Sequence, residues 1–194
     1  MSKPKGSNKE NLERTRKTLL AIAAEEFCTH GYHQASTTAI IKKAKSSRGS
    51  LYHHFTDKRD LFCAVYDNMH QQILHRLERY PYSGRDRVQN LIDGCVEYLR
   101  IFTEQDYAKI ILLEGPNVLG TAYCQAQDRK TAYKALKEGV ADIIHEPRKT
   151  MMITDFLSGA LDTYAMRIAT GDNPAKVFQQ YAWYFTIFAR KIFG

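Results

Sequence analysis

The sequence predicts an all-α fold, with an N-terminal three-helix helix-turn-helix domain joined to a larger helical domain. Three observations carry this. Apolar residues recur every three or four positions along almost the whole chain. Only 5 prolines and 11 glycines are spread thinly over 194 residues. No stretch of useful length alternates apolar and polar residues as a half-buried strand does.

The elements follow in order. In residues 14–30, Leu20, Ala23, Ala24 and Phe27 recur at helical spacing, and Gly31, which tolerates a positive φ, is the stop. Ser36 caps a second helix running to about Ala44, with Ile40 and Ile41 turned inward. After a break at Lys45-Ser46, Ser47 caps a third helix containing Leu51, Tyr52 and Phe55. Thr56-Asp57 caps a long fourth helix, Lys58 to Arg79, with Leu61, Phe62, Val65 and Met69 along one side. Residues 81–84 form the clearest turn. Helices are then expected near 85–103, 106–113 and 121–140, with Leu113-Glu114-Gly115-Pro116-Asn117 breaking a helix in mid-domain. A loop at His145-Glu146-Pro147 precedes a helix over 150–170 with Ile153, Leu157, Ala160, Tyr164 and Ile168 on one stripe. Gly171-Asp172-Asn173-Pro174 is a turn with proline at the first helical position, and the last helix carries Val177, Tyr181, Phe185, Phe188 and Ile192. The expected domains are a flexible basic arm (1–11, with Lys3, Lys5 and Lys9), a helix-turn-helix domain (12–57, motif 36–55) and a helical domain over 58–194.

Composition excludes several classes. At 44% hydrophobic and 11% aromatic, the chain has material for a core and lacks the composition of a disordered chain. Its apolar runs are short and broken by charge, so no membrane span is expected, and no apolar segment follows the polar start as a secretion signal requires. Cys28, Cys63, Cys95 and Cys124 are widely spaced and form no CxxC pair, which fits buried thiols in a reducing cytoplasm. His53 and His54 are adjacent on a helix, about 100° apart, and so ligate one ion poorly; no metal is expected. No GxSxG, P-loop, HExxH or dinucleotide fingerprint occurs, so no catalytic residue, no cofactor and no enzyme activity are expected.

The charge is unevenly placed. Residues 1–60 hold 12 Lys and Arg against 6 Asp and Glu, while the remainder holds 16 against 15. A basic segment joined to a near-neutral one is the electrostatic footprint of a nucleic-acid module joined to something else. The segment 36–55, STTAIIKKAKSSRGSLYHHF, has two short helices around a tight turn, an arrangement in which the last helix enters a major groove. On that helix Ser47, Arg48, Gly49, Ser50 and His53 face outward. Arg48 can donate two hydrogen bonds to guanine O6 and N7. Tyr52, His54 and Lys58 are placed to touch phosphates, and Ser36, Thr37, Thr38 and Lys45 complete the expected DNA-binding set.

These residues carry a resemblance. SSRGSLYHHFTDKRDLF, with GYHQAS upstream, resembles the TetR family of repressors over residues of about 12–70. The matching features are Gly31-Tyr32 at the end of the first helix, Ser36, Leu51-Tyr52-His53-His54-Phe55, and Lys58 with Leu61. Two positions depart from the family pattern. Lys45-Ser46 stands where glycine and an apolar residue are usual, and a non-glycine residue at positive φ costs about 1 kcal/mol. Thr38 stands where a basic base-reading residue is common.

Beyond residue 80 the resemblance implies a ligand-binding and dimerisation domain of about six helices. Dimerisation also has a physical argument. One recognition helix reads too few base pairs, whereas a two-fold pair set roughly 34–36 Å apart reads a palindromic operator. The last two helices are the expected interface, through Phe156, Gly159, Ala160, Thr163, Tyr181, Tyr184, Phe185 and Phe188. Ser158-Gly159-Ala160 lets a partner helix approach, and the last helix has more aromatics than one core stripe needs. The resemblance puts an effector site among the helices over 85–140. Its expected lining is Tyr66, Met69, Cys95, Tyr98, Phe102, Tyr107, Ile111, Glu114, Asn117 and Tyr123, whose aromatic content suits an apolar or aromatic small molecule. The expected function is a cytoplasmic DNA-binding transcriptional regulator, a repressor released from its operator by that effector. An activator, or a regulator without a small ligand, stays open at this point.

Overall fold

The computed structural model describes residues 8–82, 84 and 86–193, with side chains from Glu10 onward. Of the sequence expectations, Lys3 and Lys5 of the basic arm and Ser83 of the turn lie outside the described residues. Among these residues every regular element is helical, and packing divides the chain into two units that meet inside the fourth helix, between Asp67 and Asn68.

The N-terminal unit contains α1 (Asn8–Gln34), α2 (Thr37–Lys43), α3 (Arg48–His54) and the first turns of α4 (Lys58–Glu78). Gly31 takes φ 72°, the conformation expected of the residue ending the long run of α1, and one more turn follows it. The two short helices are capped as the sequence indicates. Ser36 Oγ accepts from the Ala39 N–H at 3.3 Å, and Ser47 Oγ accepts from the Ser50 N–H at 3.1 Å. At α4 the caps are reciprocal. Asp57 accepts from the Asp60 N–H at 2.8 Å, and Asp60 accepts from the Thr56 N–H at 2.8 Å.

Leu19, Ala23, Phe27, Ile40, Leu51, Phe55, Leu61 and Phe62 are buried and form the core of this unit. The Phe62 ring meets Phe27 edge-on at 5.1 Å, which ties the start of α4 to α1. Glu26 is the buried acid of the unit, 3% exposed. Its Oε1 accepts from the Ser36 N–H at 3.2 Å, and its Oε2 accepts from Lys43 Nζ at 3.0 Å, so one carboxylate joins α1 to both ends of α2. Burial alone would raise the Glu26 pKa. The Lys43 ammonium, the Ser36 N–H and His30 outweigh it and hold the carboxyl below its ordinary value.

The C-terminal unit contains the rest of α4, α5 (Arg87–Ile101), a single turn α6 (Gln105–Tyr107), a π-helical turn (Ala108–Glu114), α7 (Gly115–Leu119), α8 (Thr121–Asp128), α9 (Ala132–Ala141), α10 (Pro147–Ala169) and α11 (Pro174–Phe193). α10 packs against α5, α9, α11 and the π-helical turn, and α5 packs against α11. Thr154, Leu157, Leu161, Ala165 and Ile168 give α10 its inward stripe. Arg100 lies over the Phe178 ring at 4.8 Å, and Arg190 donates to Gln89 Oε1 at 2.6 Å, both between α5 and α11.

Two stretches differ from expectation. The break expected at Leu113–Asn117 is a widened helix instead. Pro116 has no N–H to offer the Leu112 carbonyl, and the chain absorbs this with a π-turn in which the Gly115 N–H reaches the Ile110 carbonyl. Asn117 Nδ2 donates to the Leu113 carbonyl at 2.8 Å. The single helix expected over 121–140 is two, α8 and α9, divided at Thr131 (φ −124°, ψ −102°). No glycine or proline marks that break. Thr131 is 2% exposed, its hydroxyl donates to the Gln127 carbonyl at 3.0 Å, and it lies 3.2 Å from Nδ1 of buried His70. A buried polar pair therefore stands at the break between the two helices.

Lys45, between α2 and α3, takes φ 48°, so the strain expected of a non-glycine residue in this turn is present. Replacing it, Lys45→Gly, is expected to raise stability in urea unfolding by about 0.5–1 kcal/mol. Glu26→Gln is expected to lower it by about 1–2 kcal/mol at pH 7. Because the folded carboxyl is held low, that deficit is complete at neutral pH. It closes as the pH falls below the ordinary carboxylate range and wild-type Glu26, held low in the fold, also gains its proton; unfolding followed against pH measures this.

Candidate functional site

Two candidate sites lie in the described residues, one in each unit. In the first, α3 is only seven residues long and buries Leu51 (1% exposed) and Phe55 at its C-cap (3%). Turning those two inward forces the opposite face out, because side chains three or four apart share a face and the rest do not. Of the twelve residues expected to meet DNA, eight are exposed: Ser36, Thr38, Lys45, Ser47, Arg48, Gly49, Tyr52 and His53. Thr37, Ser50, His54 and Lys58 are half-buried. The Arg48 guanidinium sits 5.6 Å from the centre of the Tyr52 ring, which pre-orients it along the helix face.

Several of these side chains already have work inside the fold. Ser36 and Ser47 cap their helices. Lys58 Nζ donates to the His33 carbonyl at 3.0 Å and lies 4.9 Å from the Tyr32 ring centre, so it braces the end of α1. Burial, with the charges of His53 and Arg16, lowers the His54 pKa, so His54 presents a neutral ring rather than a cation at pH 7. Beside α3, Arg14, Thr15, Thr18, Lys45, Ser46 and Ser50 line a polar depression of about 240 Å³. Two cations among hydroxyls suit a phosphate oxygen. The sequence reading missed Arg14 and Thr18, because they lie on the long first helix rather than in the motif. Their basic or hydroxyl character at i and i+4 on one face is the signal that marks them.

The second candidate is a cavity of about 260 Å³ in the C-terminal unit. Its apolar wall includes Leu77 from the end of α4, Leu91 from α5, Leu136 from α9 and Leu161 from α10. Gly94, Ala132, Ala135 and Gly139 are small and leave the room. Tyr82, Tyr98 and Tyr133 supply rings. The Tyr82 hydroxyl donates to the Leu77 carbonyl at 2.9 Å, and that of Tyr133 donates to Asp155 at 2.7 Å. Cys95 is buried and its thiol is pushed up to about 12 by burial, so it stays neutral. The charged side chains of the wall are Arg87, Asp128, Asp142 and Asp162. Burial, with the negative charge of Asp162 next, pushes Asp128 up to about 6 against the pull of the Tyr133 N–H, and burial also raises Asp162.

Of the ten effector residues expected from sequence, Cys95 and Tyr98 line this cavity. Tyr66, Met69, Phe102 and Ile111 are buried core side chains and are not on its wall. Tyr107 donates to Gln72 at 2.8 Å, Asn117 serves the π-turn, and Glu114 and Tyr123 also lie off the wall. The aspartates were missed because Asp128 and Asp162 stand on different helices, 34 positions apart, and only folding brings them to one cavity. The expected interface residues Phe156, Gly159, Thr163, Tyr184 and Phe188 are exposed, and Ala160 and Tyr181 are half-exposed. Phe185 is corrected. At 3% exposure, 6.4 Å from the Tyr164 ring, it belongs to the core of its own protomer.

Among the described residues no group of three or more His, Cys, Asp or Glu is arranged to hold a metal ion, and no helix is long and apolar enough to cross a membrane.

Comparison with known proteins agrees with both units. Residues 19–65 match the family described as "Bacterial regulatory proteins, tetR family", and residues 88–190 match "Tetracyclin repressor-like, C-terminal domain". The HTH-type transcriptional regulator UidR of Escherichia coli K12 is 37% identical over 82 residues, which is 42% of this chain and 41% of that protein. The matched stretch thus spans about two fifths of that relative's length. A crystal structure of a TetR-family transcriptional regulator from Pectobacterium atrosepticum superposes with a TM-score of 0.80 at 25% identity, covering 96% of this chain and 97% of the other. The transcriptional regulator FadR of Bacillus subtilis, solved in complex with stearoyl-CoA, shares the fold with a TM-score of 0.71 at 16% identity, over 88% and 97%. With a domain match covering more than half its length, the chain belongs to the TetR family of bacterial transcriptional regulators.

Proposed function

We propose that this protein is a homodimeric repressor, acting in the cytoplasm, that binds a palindromic operator through α3 and is released from it by a small molecule held in the C-terminal cavity. The observation that carries the DNA-binding part is the division of α3. Leu51 and Phe55 are buried, while Arg48, Gly49, Tyr52 and His53 are exposed, and residues 1–60 hold 12 Lys and Arg against 6 Asp and Glu. Arg48 is the proposed base reader, and Lys45, Arg14 and the hydroxyls near them are proposed to hold phosphates, which fix the register without reading sequence.

Dimer formation is supported by apolar surface with no use inside one protomer. Phe156, Trp183, Tyr184 and Phe188 are 64, 60, 52 and 55% exposed, on α10 and α11. A Cβ added at Gly159 would meet nothing within 4 Å, so a partner helix finds open backbone there. Burying such a face between two copies gives a four-helix interface. Release is supported by α4. Its last turn puts Leu77 on the cavity wall, and its first turns bury Leu61 and Phe62 in the DNA-binding unit. A ligand that shifts the end of α4 would move its start, and a coupling of about 1–3 kcal/mol changes operator affinity roughly 5- to 150-fold.

Selection of bound sequences from random duplex DNA is expected to return a two-fold symmetric site. On that site Arg48→Ala is expected to lose about tenfold or more in affinity and to relax the preference at one base pair of each half-site, with non-specific binding little changed. Retention of full affinity and specificity removes Arg48 as the base reader. Phe188→Glu is expected to shift the protein from dimer to monomer in analytical ultracentrifugation, and to weaken operator binding with it. A dimer that survives moves the interface elsewhere.

A further inference from the structure

We infer that the ligand of the C-terminal cavity is an organic cation: an apolar, ring-bearing body with a basic amine set against Asp128 and Asp162. The inference rests on the reading of this cavity as the effector site, and it names the chemistry that the site selects.

The wall holds three carboxylates, Asp128, Asp142 and Asp162, and one cation, Arg87. Arg87 Nη1 donates to the Asp142 main-chain carbonyl at 2.8 Å, which directs that guanidinium to the end of α9. Among the described residues, neither Asp128 nor Asp162 is in a salt bridge with Lys, Arg or His. A folded chain rarely places two acids on an apolar wall without a counter-charge, because taking a carboxylate out of water is costly unless it is paired. Among the described residues no cation pairs with either acid, and both stand on the cavity wall.

The rest of the wall says what brings that charge. Leucines and small residues give it an apolar surface, so the occupant has an apolar body and is not a hydrated ion. No arrangement of three or more metal-ligating side chains occurs among the described residues, which sets a metal ion aside. Tyr98 and Tyr133 bring aromatic rings to the same cavity as the two acids, and a ring face attracts an ammonium group in a desolvated site. A cavity of about 260 Å³ has room for a small ring-bearing molecule.

The protonation behaviour agrees. Burial, with the charge of Asp162 next, pushes Asp128 up to about 6, and burial raises Asp162, the response of carboxylates that lack a cation. The other titratable groups facing the cavity are Tyr82 before α5, Arg87, Cys95 and Tyr98 on α5, Tyr133 on α9, and Asp142 after it. The Cys95 thiol is held neutral by burial, and the Tyr82 and Tyr133 hydroxyls are raised above their ordinary range, Tyr133 by its bond to Asp155 and Tyr82 by burial. As pH falls through the Asp128 range, that carboxyl takes a proton and loses its hold on a cation.

The test is isothermal titration of the full-length protein at pH 7.5 with three probes of one shape. These are 1-naphthylmethylamine, which is cationic, 1-naphthylmethanol, which is neutral, and 1-naphthoate, which is anionic. The amine is expected to bind about tenfold or more tightly than the alcohol, with naphthoate weakest, and its advantage is expected to shrink at pH 5. In the Asp128→Asn/Asp162→Asn protein, with folding checked by its melting curve, the ratio of amine to alcohol affinity is expected to fall towards one. Equal binding of amine and alcohol, tighter binding of naphthoate, or an unchanged ratio in the double variant overturns the cation inference and leaves the cavity as a binding site. If none of the three probes binds, both the inference and the effector reading of this cavity fall.

Discussion

A recognition helix of seven residues cannot hold itself together in water, since isolated helices shorter than about 12–15 residues are marginal at best. Everything that α3 presents therefore depends on what holds it down. Leu51 and Phe55 anchor it in the core, Ser47 caps it, and the neighbouring α2 is tied to α1 by the buried Glu26 carboxylate. The apolar anchors set how the helix is turned, and the polar bonds set where its neighbour begins and ends. Arg48 and Tyr52 are exposed as a consequence of that anchoring, so the outer face is as well defined as the core beneath it. The strained turn at Lys45 has a similar logic. A residue that gives up conformational ease at φ 48° keeps a positive charge next to α3, beside Arg14, where a glycine would leave none.

The C-terminal unit follows a different rule. Its helices enclose space rather than filling it. Small residues on α5 and α9 leave a cavity, and Asp128 and Asp162 are brought to its wall without a counter-ion from the described residues. Stability alone would favour an apolar or neutral side chain at both positions. Retaining the acids is consistent with a site shaped for an occupant, in the way that functional positions break rules the rest of a fold obeys. The split between α8 and α9 belongs to the same region. Asp128 is the last residue of α8, and the buried Thr131–His70 pair stands three residues later, at the start of α9.

The outer surface of α10 and α11 is the third constraint. Phe156 on α10 and Trp183, Tyr184 and Phe188 on α11 leave aromatic surface exposed. On the inward side of α11 the same kind of residue behaves differently. Phe185 and Phe178 are buried against the unit's own helices, and Arg100 covers Phe178. One amphipathic helix thus serves two cores, one inside the protomer and one proposed between protomers.

Local chemistry is what the sequence by itself determined. The helical class, the Ser36 and Ser47 caps, the positive φ at Gly31, the strain at Lys45 and the outward face of α3 all follow from residues within a turn or two of one another, where spacing and backbone preference decide. Family membership was legible for the same reason, since its marks lie in one contiguous run from Gly31 to Leu61. Only the tertiary structure decided the rest. Nothing near Thr131 announces the end of α8, nothing in the aromatic pattern of α11 sets Phe185 inward and Phe188 outward, and aromatic richness pointed to Tyr66 and Phe102, which are core, rather than to Asp128 and Asp162, which line the cavity. A cavity wall is assembled from side chains far apart in the chain. Their shared environment, and the shifted protonation it causes, exists only once the helices have packed.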